Sequence, residues 1–198
     1  MKQYWEEILK DRLQLYGHRN WVTIADSAYP AQSKQGIETI VANDGHTTVL
    51  ARTFEILREC KHVKPKIYTD QELSFIMEDD APGVTSYREQ LGLMVKGREV
   101  CALPHEEIIS RLDRIGEIFR VLLVKTNMRI PYTSVFFELD CGYWDGPAEA
   151  RLRAAVRAGN GGREPRIGRQ QLPPGKRILR HEGARASATR TSLRRERA

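Results

Sequence analysis

A histidine and a carboxylate bracket one short apolar stretch: His18 precedes and Asp26 follows Trp21-Val22-Thr23-Ile24-Ala25. Imidazole titrates at about pH 6.5, so it can give or take a proton at neutral pH. A carboxylate accepts hydrogen bonds from hydroxyl groups. Their spacing constrains how they could cooperate. Eight positions at about 3.3 Å each put them more than roughly 20 Å apart if the run is extended. They share a site only if Gly17-His18-Arg19-Asn20 folds back, or if they meet across a subunit boundary. By type alone, His18 is either a proton carrier or a histidine beside a strand with no chemical role. Asp26, at the C-terminal end of a strand, stands where open α/β sheets bind ligands.

Other chemistry-bearing residues are less well placed. His46, in Asp44-Gly45-His46-Thr47-Thr48, reads as a turn histidine. Glu138, Asp140 and Asp145 read as solvated acids at the end of a strand. Glu78-Asp79-Asp80 has no His or Cys at ligand spacing, so no metal site is expected there. Cys60, Cys101 and Cys141 are far apart and odd in number, which points to small buried hydrophobes in a reducing compartment. Neither a Walker loop nor a complete G-x-G-x-x-G is present.

The elements that must hold these residues follow from periodicity. Trp5, Ile8, Leu9, Leu13 and Tyr16 recur at helical spacing over residues 2–16, and Gly17 stops the helix. Strands are expected at 21–25, 37–41, 66–68, 100–103 and 132–139, and helices from Thr47 or Thr48 to Cys60, over 87–96 and over 106–115. Strands alternating with helices predict a layered α/β/α domain.

Charge divides the chain. Residues 151–198 carry 14 Lys and Arg against 3 Asp and Glu, whereas residues 1–150 carry 18 against 23. No aromatic residue follows Trp144. The expected organisation is a globular domain over 1–146, a terminal helix over 147–158 and a disordered Arg-rich tail over 159–198. A tail without aromatics or a nucleic-acid-binding motif does not make nucleic acid the expected partner. No apolar run approaches the roughly 20 residues of a membrane span, and no apolar leader is visible, so the expected setting is the cytoplasm.

Gly17-His18, then Val22-Thr23-Ile24-Ala25-Asp26 and Ser27-Ala28-Tyr29-Pro30, resembles the N-terminal signature of the D-ribose pyranase and L-fucose mutarotase (RbsD/FucU) family. Two further segments match in order: Val100 to His105, a strand ending at a histidine, and Val124-Lys125-Thr126 followed by Ile130 to Phe137. The resemblance spreads over roughly residues 2–145. It implies an RbsD-like topology and a cofactor-independent isomerase of free monosaccharides, which exchanges anomers or pyranose and furanose rings through the open-chain aldehyde. It assigns proton transfer to His18 and sugar binding to Asp26, His105, Tyr132 and Ser134. It also implies a ring-like homo-oligomer with sites at subunit boundaries. The family's usual Tyr-x-Asn stands here as Tyr132-Thr133-Ser134, and the interval from His105 to Tyr132 is longer than usual. The Ser134 change motivates an alternative, a catalytically silent sugar-binding or regulatory oligomer on the same scaffold.

Overall fold

Three parallel strand pairs bring five strand ends to one side of a single sheet. In the computed structural model, which describes residues 4–159, the elements run α1 (Tyr4–Leu15), β1 (Trp21–Ala25), β2 (Ile37–Val41), α2 (His46–Glu59), β3 (Val63–Asp70), a 3-10 turn (Gln71–Phe75), α3 (Val84–Met94), β4 (Val100–Leu103), α4 (His105–Ile118), β5 (Val121–Lys125), β6 (Val135–Cys141) and α5 (Gly146–Gly159). The strand order is β2-β5-β1-β6-β3-β4. β1 and β2 pair parallel with β5, and β3 pairs parallel with β4, while β6 runs antiparallel between β1 and β3. The C-terminal ends of β1, β3, β4 and β5 therefore gather near the start of β6. The chain divides into two units after Ala155. The second contributes only the end of α5 to the described residues, and the Arg-rich tail expected from residue 159 lies outside them from residue 160 on.

Both faces of the sheet are covered, which makes the first unit an α/β/α domain. On one face Trp5, Leu9 and Leu13 of α1, Leu50 and Leu57 of α2 and Leu91 of α3 pack with Val22, Leu122 and Phe137. On the other, Ile108 and Leu112 of α4 pack with Trp21, Leu123 and Phe136. β1 is buried at all five positions, so its sequence is a continuous apolar and β-branched run rather than an alternating one.

Several boundaries differ from the sequence expectation for identifiable reasons. α2 begins at His46 with Gly45 as N-cap and no side-chain cap, not at Thr47 or Thr48. β3 is much longer than residues 66–68. Pro65 obscures it in sequence, but it lies where only β6 runs alongside, since β4 pairs from Ile67 onward. Tyr132 to Ser134 do not belong to the last strand, because Tyr132 has a left-handed backbone (φ 57°) and β6 starts at Val135. Glu78 lies in an exposed turn ahead of α3. It accepts the N–H groups of Gly83 (2.5 Å) and Thr85 (2.9 Å) at the start of α3, and these bonds hold its carboxyl below the usual range.

One close approach fixes how α4 sits against β2. A Cβ at Gly36 would overlap the Gly116 carbonyl oxygen and stand 2.7 Å from that of Phe119. Both obstacles are backbone, so neither can swing aside. Gly36→Ala is expected to destabilise the protein by about 1–3 kcal/mol, read as a lower urea midpoint with an unchanged slope.

Candidate functional site

Asp26 leaves β1 into a tight turn in which its Oδ1 accepts the Ala28 N–H (2.9 Å). Ser27 N–H donates to the Met128 carbonyl (2.8 Å), which fastens this turn to the loop after β5. Ser134, at the entrance to β6, lies 3.4 Å by its hydroxyl from Asp26 Oδ2. On the other side of β6, β3 ends at Asp70 and β4 leads through Pro104 to His105. The parallel register sets Asp70 opposite Leu103, two residues before the histidine. Asp70 Oδ1 accepts from His105 Nδ1 at 3.0 Å. Both Glu72 carboxylate oxygens accept the His105 backbone N–H (3.0 and 3.1 Å). The Tyr132 ring stands edge-on to the imidazole, with centroids 5.3 Å apart and planes at 87°.

These ends enclose a cleft of roughly 630 Å³, lined among others by Asp26, Tyr29, His105, Arg129 and Tyr132. Its volume lies in the range of small-molecule sites, and its place at the C-terminal ends of parallel strands is where open α/β sheets bind ligands. The lining mixes two ring faces with a carboxylate, an imidazole and a guanidinium. Such a set suits a small polyhydroxylated molecule, whose C–H faces pack on rings while its hydroxyls both donate and accept.

The left-handed Tyr132 costs backbone strain, so something must hold it. The Thr133 carbonyl accepts the Tyr87 hydroxyl (2.6 Å) and His46 Nε2–H (2.9 Å), both buried, and the Thr133 hydroxyl donates to the Ile130 carbonyl (2.8 Å). Nδ1 of His46 lies 2.8 Å from the Thr126 hydroxyl, which is also 3.0 Å from the Ala25 carbonyl. Burial lowers the His46 pKa to about 4, so the ring is neutral and its Nδ1 accepts from Thr126. His46 is thus neither a turn histidine nor a cleft residue. It joins α2, the end of β5 and the entrance to β6 behind the site.

Of the five residues singled out in the sequence, Asp26, His105 and Tyr132 line one cleft. Ser134 is 2% exposed and faces Asp26 from behind rather than lining the cleft. His18 is elsewhere. Gly17 N–H donates to Asn20 Oδ1, Arg19 N–H to the Leu139 carbonyl and Leu139 N–H to the Asn20 carbonyl. These bonds hold the Gly17–Asn20 turn at the far end of β6 and the N-terminal end of β1. The turn does not fold back, and an exposed His18 stands at the opposite edge of the sheet from its own chain's cleft. Glu138 and Asp140 also lie toward that edge, on Tyr68 and Lys66 respectively.

Sequence reasoning passed over Asp70 and gave no role to Tyr29 or Thr126, although both stand in the motifs quoted above. Asp70 and Thr126 obey the strand-end rule that selected Asp26. Asp70 was hidden because β3 was read as ending at Tyr68.

No protein-family model matches the chain, and neither does any curated protein. Among solved structures the chain is similar to RbsD from Bacillus subtilis complexed with D-ribose. The identity is 18%, the match covers 71% of this chain and 96% of that one, and the TM-score is 0.48. It is similar as well to the fucose mutarotase from Streptococcus pneumoniae in complex with L-fucose, at 16% identity, 67% and 91% coverage and a TM-score of 0.45. FucU from Bifidobacterium longum matches at 11% identity, 68% and 94% coverage and a TM-score of 0.44.

Proposed function

We propose that the protein is a monosaccharide ring isomerase of the RbsD/FucU kind, acting on a free aldose without a cofactor. The observation that carries this reading is the convergence of Asp26, His105 and Tyr132, chosen from separate sequence motifs, on one cleft at the strand ends. The reaction needs only proton transfer. A base removes the anomeric O–H proton while the bond from C1 to the ring oxygen breaks, and an acid protonates that oxygen. The open-chain aldehyde then rotates about C1–C2 and closes on its other face, or through a different hydroxyl. Asp26 accepts hydrogen bonds from sugar hydroxyls, Tyr132 offers a ring face and a hydroxyl, and His105 offers a further contact.

His18 supplies a proton carrier from a second copy of the chain, whose exposed Gly17–Asn20 turn enters the cleft. This arrangement makes the site complete only in a homo-oligomer, and it reconciles the His18 signature with the distance between the two edges of one sheet.

Saturation-transfer NMR on ribose, fucose and related aldoses tests the proposal. Anomer or ring-form exchange should accelerate in proportion to protein concentration for at least one sugar. Saturable sugar binding without acceleration would favour the silent binding oligomer that Ser134 motivates. Neither binding nor exchange with any aldose would defeat both readings.

A further inference from the structure

Ring opening moves two protons at once, one off the anomeric hydroxyl and one onto the ring oxygen, and His18 of a second copy serves only one of them. We infer that His105 is the second proton carrier of the cleft, with buried Asp70 as the positioning residue that holds its imidazole in the Nδ1–H tautomer. This inference deepens the isomerase reading and rests on it.

The geometry comes first. An ionised carboxylate only accepts hydrogen bonds, so the 3.0 Å contact between Asp70 Oδ1 and His105 Nδ1 places the proton on Nδ1. In a neutral imidazole the lone pair then lies on Nε2, which makes no hydrogen bond among the described residues. The ring borders the cleft and is partly open to it. Glu72 anchors the backbone of the same residue, and Tyr132 packs against its ring. Backbone, ring plane and tautomer are each held by a different group.

Asp70 is a poor structural choice for its position. It is 2% exposed, and its Oδ2 has no hydrogen-bond partner. A buried carboxylate with an orphaned oxygen is costly, whereas an apolar side chain there would bury neither a charge nor an unpaired polar atom. What Asp70 does contribute is a fixed negative charge behind His105. That charge stabilises the imidazolium formed when Nε2 takes the anomeric proton. In the balanced step, O1–H and C1–ring-oxygen bonds break while C1=O1 and Nε2–H form. The ring oxygen receives its proton from the His18 imidazolium of the second copy, and closure reverses every transfer.

The groups facing the pair are Asp26, Glu72 and the Tyr29 and Tyr87 hydroxyls, with Glu106 and Arg129 at the cleft. Burial raises the Asp70 pKa to about 6 against the opposing pull of His105, so the carboxylate is ionised at neutral pH. Exchange rates over pH 5–9 for wild type, Asp70→Asn and His105→Gln test the inference, together with the 15N-detected tautomer of His105 in the sugar-free wild type. Asp70→Asn should lower kcat by about 10- to 100-fold with little change in KM, and should move the acid limb of its pH profile to lower pH. His105→Gln should lose at least as much, and wild-type His105 should carry its proton on Nδ1. An Asp70→Asn protein with the wild-type kcat and acid limb would overturn the inference, as would a wild-type Nε2–H tautomer. Absence of exchange in the wild type would overturn the isomerase reading itself, and this inference with it.

Discussion

His18→Ala is expected to slow sugar exchange by about 10²- to 10⁴-fold, the usual contribution of a positioned acid or base, while leaving the fold and sugar affinity nearly intact. The size of this effect follows from the role. In the proposed role the side chain moves a proton in the transition state and makes few contacts that hold the sugar in the ground state. The small effect on stability follows from its exposure, and from the backbone bonds of Gly17, Arg19 and Asn20 that fix the turn without the imidazole. The saturation-transfer rate constant measures the first effect. Titration of sugar against protein resonances measures the second. Unchanged exchange in His18→Ala would remove His18 from the chemistry.

The second large effect concerns stability and its dependence on pH. His46→Leu removes the bonds to Thr133 and Thr126 and leaves buried partners behind. It is expected to cost about 2–4 kcal/mol, or roughly 5–12 °C in Tm at a few degrees per kcal/mol for a domain of this size. The wild-type pH response contains two opposed contributions. His46, held at about 4 in the folded protein, titrates near 6.5 when unfolded. The unfolded chain binds the extra proton between those values, so stability is full above about pH 6.5 and is lost as pH falls toward 4. Asp70 works the other way. Its folded value of about 6 exceeds the unfolded value, so its contribution is complete below about pH 4 and is lost as pH rises through 6. The two slopes oppose each other over nearly the same window, and the wild-type curve should be shallow there. Asp70→Asn removes one of them. That variant should gain stability at pH 8, by up to about 3 kcal/mol before the loss of the His105 bond is subtracted, and should lose it steeply as pH falls from 6.5 to 4. Thermal melts from pH 4 to 8 on both proteins read this directly. Parallel curves would contradict it.

The legible and illegible parts of the molecule differ in where their information resides. β1 announced itself because burial on both faces demands an unbroken run such as Trp21–Ala25, and the alternation of strands and helices was enough for an α/β/α domain. β3 was truncated because Pro65 and its flanking lysines mimic a loop, a conflict that disappears once the edge beyond β4 is known. Tyr132-Thr133-Ser134 resembles strand in composition, yet Tyr132 turns left-handed because Tyr87 and His46 grip the next carbonyl. Neither of those partners is near it in sequence. Asp26 was legible from its place after a buried strand. Asp70 has the same placement but gains its chemical meaning only from the β3–β4 register, which no local pattern encodes.

The proposed site draws on two copies of the chain, and mixing two inactive variants tests that most directly. His18→Ala and Asp26→Ala would each be confirmed inactive in anomer exchange, then unfolded together in equal amounts and refolded. If His18 serves the cleft of a different copy, random assembly gives about a quarter of the sites an intact pair, and exchange should return to roughly that fraction of the wild-type rate. If the mixture remains as inactive as its components, although mixed oligomers have formed, His18 and Asp26 do not complete one another's site and the account fails.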